Sequence, residues 1–183
     1  MRILRPGLLL SVVPAVLLAF STTGYAQELK SAAPARELAE LMASNKLDSM
    51  AARMPDDHDE FVGVLAFPGQ LMVVWAKTAA PPVLNEKVLR KQYRDAYIDL
   101  NSASVVSTRH FVTDLGADGL KFKPEPKTAP ADSHDLAGKS MRFDGNWKED
   151  KMSQADYTTA HAEADAAYAR ALTALIAEIK KPS

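Results

Sequence analysis

The sequence predicts an α+β fold: an antiparallel sheet or part-closed barrel around a central hairpin, flanked by helices and finished by a long C-terminal helix. Three observations carry that prediction. Two strongly apolar runs, Phe61 to Phe67 and Gln70 to Lys77, are separated only by Pro68-Gly69. Apolar residues from Tyr157 to Ile179 step by three and four positions, the spacing of one helix face. The remaining strand-like runs are joined by a helical crossover and a short loop, connections that suit an antiparallel sheet. With 47% hydrophobic and 25% charged residues among 183, the composition excludes disordered and collagen-like classes.

The chain opens with Arg2 and Arg5, an apolar run from Leu8 to Phe20 broken by Ser11 and Pro14, and then Gly24-Tyr25-Ala26. A basic start, a short apolar centre and small residues three and one before a cut predict a secretory signal peptide over residues 1–26. The apolar run is shorter than the ~20 residues a spanning helix needs. Residues 27–183 are then expected to form a single exported domain, periplasmic or extracellular. Removing 26 residues leaves 157, with 20 Lys and Arg against 23 Asp and Glu, a net charge of −3. So mild an acidity gives no basic surface for nucleic acid, and no membrane partner is expected after cleavage. The absence of cysteine excludes a thiol nucleophile, a thiolate metal site and a disulfide.

Within the domain, Gln27 to Ala33 reads as a loose leader. A helical pattern runs from Pro34, suited to a first helical position, to Met54. Leu38, Leu41 and Met42 make one stripe, and Leu47, Met50, Ala51 and Met54 another. The phase breaks at Ser44-Asn45, which predicts two short helices or one kinked helix, ended by Pro55. The hairpin runs are apolar on both faces, so both faces should be covered, and Pro68-Gly69 is a type II turn signature. Pro81-Pro82 opens a second helix to about Arg94, and strands follow at Ala96 to Leu100 and Arg109 to Asp114. Gly116 to Gly119 makes a turn. Residues 121–138 hold Pro124, Pro126 and Pro130 without periodicity and read as a long surface loop. A short strand, Lys139 to Phe143, and a Gly145-Asn146 turn precede the last helix. Ser153 caps that helix, with Asp156 three residues on as a capping partner. Its alanine-rich stripe predicts docking on the sheet; the alternative is a projecting oligomerisation arm.

No pattern specifies a reaction. There is no Gly-x-Ser-x-Gly elbow, Ser-x-x-Lys pair, His-x-x-x-His pair or Gly-rich phosphate loop, so no catalytic residues are assigned. His58, inside Asp56-Asp57-His58-Asp59-Glu60, reads as part of a solvated loop. On a strand, Tyr97 and Asp99 share one face and could line a pocket, or pair with Arg94 or Arg109 at its rim. With His110 and Lys77 they form the candidate ligand-binding set. Asp114, Asp118, Gly119 and Glu125 match positions 1, 5, 6 and 12 of a calcium loop. Gly116 stands where a further ligand belongs, however, and Pro124 and Pro126 flank the glutamate. Asp114, Asp118 and Glu125 are the candidate metal ligands, with a plain glycine turn as the alternative.

From Leu38 to Leu120, the order helix, apolar hairpin, helix and two strands, centred on Phe61 to Lys77, resembles the split-barrel proteins related to pyridoxamine-phosphate oxidases and flavin reductases. The resemblance implies a split barrel. Such proteins hold a flavin phosphate with Arg, Lys, Ser and Thr on adjoining strands; here Lys77 and Thr78 stand where such contacts fall. The family's arginine-rich stretch has no counterpart, and the last helix is an addition. The expected function is an exported, non-catalytic domain that binds a small ligand or a protein partner. The alternatives are an FMN- or haem-binding redox protein and a metal-binding domain on the Asp114 to Glu125 loop.

Overall fold

The computed structural model describes residues 29–57, 59–78 and 109–182. Helix α1 (Ala32–Ser44) precedes strands β1 (Ser49–Arg53), β2 (Glu60–Phe67), β3 (Gln70–Lys77), β4 (His110–Leu115), β5 (Ser133–Leu136) and β6 (Lys139–Arg142), and helix α2 (Gln154–Ile179) ends the fold. The strands lie in sequence order in one sheet, and each neighbouring pair is antiparallel. The sheet is open, with β1 and β6 at its edges. Of the two predicted forms, the chain adopts the antiparallel sheet.

The central hairpin forms as its sequence dictates. Phe67 pairs with Gln70 across Pro68 and Gly69, and Gly69 takes φ +70°, the positive value a type II turn requires at its second central residue. Alternate residues then feed two apolar layers. Val62, Val64, Val73 and Trp75 join the main core, while Phe61 and Val74 form a smaller cluster on the other face with Leu65, Met72 and Phe111. That is why neither run alternates with polar residues.

Two elements differ from expectation. The helical pattern from Pro34 to Met54 holds only to Ser44; Ser49–Arg53 is a strand, paired with β2 from Ser49 opposite Leu65 to Arg53 opposite Phe61. Met50, Ala51 and Ala52 are all buried, and a strand covered on both faces shows an unbroken apolar run that also satisfies helical spacing. The second difference lies in residues 121–138, where Ser133–Leu136 forms β5 rather than loop. It turns into β6 through Ala137 and Gly138 at φ 54° and 79°, the double positive φ of a type I′ hairpin. The predicted leader is not loose where it is described: Lys30 and Ser31 donate their amides to Asp165, and Ala32 and Ala33 begin α1. Residues 1–28, His58, the helix to Arg94 and the strand Ala96 to Leu100 lie outside the described residues.

Helix α2 docks. It packs along α1 and crosses β1 and β2, burying Tyr157, Ala164, Tyr168, Ala171, Leu172 and Leu175. The alanines admit close approach, and the large side chains contribute roughly 1.5–3 kcal/mol each. At its start Ser153 Oγ accepts from the Asp156 amide at 3.1 Å and donates to Asp156 Oδ2 at 2.7 Å. Aspartate is one methylene shorter than the usual capping-box glutamate and takes the serine hydroxyl instead of the backbone amide.

Candidate functional site

The calcium-like loop is built from carboxylates that fasten backbone. Asp114, buried in β4, accepts from the Asp118 amide at 3.2 Å through Oδ1, and through Oδ2 from the Gly119 amide at 3.0 Å and the Tyr168 hydroxyl at 3.1 Å. Burial lifts its pKa, and burial together with the facing Asp114 lifts that of Tyr168. Asp118 instead pairs with Lys121 at 2.6 Å. Glu125 is largely exposed, 3.6 Å from Lys123. The structure does not gather the predicted set Asp114, Asp118 and Glu125: both Asp114 oxygens accept bonds from the turn and from α2, and Glu125 lies at the surface beside Lys123. Among the described residues no group of three or more His, Asp or Glu side chains could hold a metal ion.

Neighbouring groups extend the same clamp. Asp132 accepts from the Leu115 amide at 2.8 Å and the Lys121 amide at 2.7 Å, and burial pushes its carboxyl up to about 6. Asp165 on α2 accepts from the Lys30 amide at 2.8 Å, the Ser31 amide at 3.1 Å and the Ser31 hydroxyl at 2.5 Å. Ser31 Oγ in turn accepts from the Leu120 amide at 2.9 Å. His161 bonds the Leu120 carbonyl at 2.7 Å and sits edge-on to Phe122 and Phe143, a packing role.

Of the candidate ligand-binding set, Tyr97 and Asp99 lie outside the described residues. Lys77 and His110 share one face at one end of the sheet, since Trp75 stands directly across from His110 and Lys77 is the next residue of β3 on that face. Lys77 is ion-paired with Asp57, whose hydrogen bond and charge hold the ammonium above the ordinary lysine value.

His110 belongs to a cluster that sequence reading missed. Its Nδ1 lies 3.0 Å from Nε2 of His134 on β5. The ring centroids are 5.2 Å apart and the planes differ by 16°. That separation is about as long as two imidazoles allow when their facing nitrogens are hydrogen-bonded, so the rings meet edge to edge. Trp75 lies parallel beneath them, 4.7 Å from the His110 centroid at 6° and 6.3 Å from that of His134 at 10°. Burial, then His134, then Arg170 on α2 push His110 down to about 4. Burial also lowers His134, against the pull of Asp135. Arg170 is itself held 3.4 Å from Glu60. Both imidazoles are neutral at pH 7, and a neutral pair shares one proton on its inner line. Whichever ring donates, its outer nitrogen is bare while the other ring's outer nitrogen carries hydrogen. The pair thus presents one acceptor and one donor outward in either tautomer. The Trp75 indole N–H is buried without a hydrogen-bond partner.

The signals that would have revealed this cluster were weak. His134 fell in a stretch without periodicity, and only the Gly after Ala137 hinted at a hairpin. Trp75 read as core. No described helix is long and apolar enough to cross a membrane. Comparison with protein-family models, curated proteins and solved structures gives no match.

Proposed function

We propose that the mature chain is an exported, non-catalytic binding domain, and that its small-ligand site is the sheet end formed by Trp75, His110 and His134. One observation carries the reading: a neutral imidazole pair that offers one donor and one acceptor, backed by the plane of an indole. Buried polar groups gathered in this way orient a ligand rather than stabilise a core, because each one left unmatched costs about 1–3 kcal/mol. Export rests on the residue 1–26 pattern.

The test is native mass spectrometry and visible absorption on protein recovered from its own compartment. A bound species should be present on the wild type and absent from His110→Ala and His134→Ala variants of unchanged melting temperature. A species retained by both variants would overturn the site, and a flavin or haem band lost in those variants would establish the redox alternative.

A further inference from the structure

We propose that the His110–His134 pair takes a soft monovalent d10 cation of the Cu(I) class, held between the two inner imidazole nitrogens with the Met141 thioether as third ligand. The proposal rests on the reading of this cluster as the binding site and names its ligand chemistry.

The donor set selects the ion. Calcium takes six to eight oxygens, and zinc takes at least three nitrogen, sulfur or oxygen ligands from the protein; neither set is assembled among the described residues. Two imidazoles facing each other in line suit an ion content with low coordination. Met141 stands directly across from His134 in the β5–β6 register, hence on the same face of the sheet, and it packs against the main core. Thioether sulfur selects Cu(I) among first-row ions, and imidazole also suits copper.

The geometry needs little change. Metal–imidazole bonds are about 2 Å long, so in-line ligation needs nitrogens about 4 Å apart, against 3.0 Å in the hydrogen-bonded pair. Side-chain rotation supplies the difference. The proton between the rings moves to the outer nitrogen of its own ring; both inner nitrogens then present lone pairs, and no proton is released. Trp75, parallel to both rings, brings its π face toward the ion. The nearby cation that opposes the charge, Arg170, is tied to Glu60. A single positive charge also costs far less to bury than two.

The experiment uses the mature chain carrying Trp147→Phe, which leaves Trp75 as the only tryptophan, titrated with Ag(I), and with Cu(I) under reductant in competition with a chromophoric chelator. The expected result is one ion per chain, quenching of Trp75 emission, and at least 100-fold weaker binding in His110→Ala and His134→Ala. Met141→Leu should weaken binding about tenfold and Met152→Leu not at all. Side-chain ¹⁵N spectra of the otherwise unmodified chain should show Ag(I) shifting His110 Nδ1 and His134 Nε2, a readout independent of whether the variants fold. No stoichiometric uptake, or uptake that leaves those two nitrogens unshifted, would overturn the cation. An organic species lost in the histidine variants, with no Ag(I) uptake, would overturn the cation and leave the binding site standing; absence of both would remove the two together.

Discussion

Gly119 is required twice over. Its φ of +98° lies where side-chain-bearing residues are strained, and a Cβ there would lie 2.6 Å from Ala32 Cα and 2.7 Å from the Ala32 nitrogen. Those are backbone atoms at the start of α1, pinned by the Ser31–Asp165 bonds, so they have no room to yield. Gly119→Ala should cost about 3 kcal/mol or more, a fall of roughly 6–12 °C in Tm for a domain of this size. Gly69→Ala is the matched control: φ is +70° and nothing lies within 4 Å of the added carbon. It carries only the turn strain, about 1 kcal/mol. Equal melting of the two variants would refute the close approach of the 116–119 turn to α1.

At the scale of elements, α2 is the member on which the others converge. It buries two tyrosines and three large aliphatics, supplies Tyr168 to Asp114 and Asp165 to Ser31, and runs beside α1. A chain truncated after Met152 should therefore be unfolded by circular dichroism; a truncated chain with native melting and only a changed mass would restore the projecting-arm alternative. This helix and the central hairpin were legible because one period dominates each: three-to-four steps from Tyr157 to Ile179, and Pro68-Gly69 between two apolar runs. β1 was not, because Met50-Ala51-Ala52 is buried on both faces and loses the alternation that marks a strand. β5 was not, because Ser133-His134-Asp135-Leu136 is short and half polar. The candidate site shared that fate. Of its three members only His110 stood out, since the cluster is made by cross-strand register, and register is a property of pairing that local pattern does not encode.

For the molecule as a whole, the buried titratable groups oppose one another. His110 is pushed down to about 4, so its contribution is present at neutral pH. It is lost as pH falls from about 6.5 toward 4, because the unfolded chain takes up the proton first. His134 works in the same sense. Asp132 is pushed up to about 6, so stability is gained as pH falls from about 6 toward 4, the folded chain taking up the proton first; Asp114 is shifted the same way. The wild-type Tm should change little between about pH 6.5 and pH 4.5. His110→Gln should tilt the profile toward acid stability and Asp132→Asn away from it. Each tilt should be about 1 kcal/mol once partial solvent exposure is allowed for, or 2–4 °C. Thermal melts at two pH values decide it: two variants with slopes parallel to the wild type would show that these groups do not set the acid response.

The bonds from Lys30 and Ser31 to Asp165 join positions 135 and 134 residues apart in sequence. A ribosome releases the first of these partners long before it has made the second. Helix α1 therefore waits, without its anchor, until Asp165 on α2 has been made. Delay of that kind leaves α1 undocked on any nascent chain that stops short of Asp165.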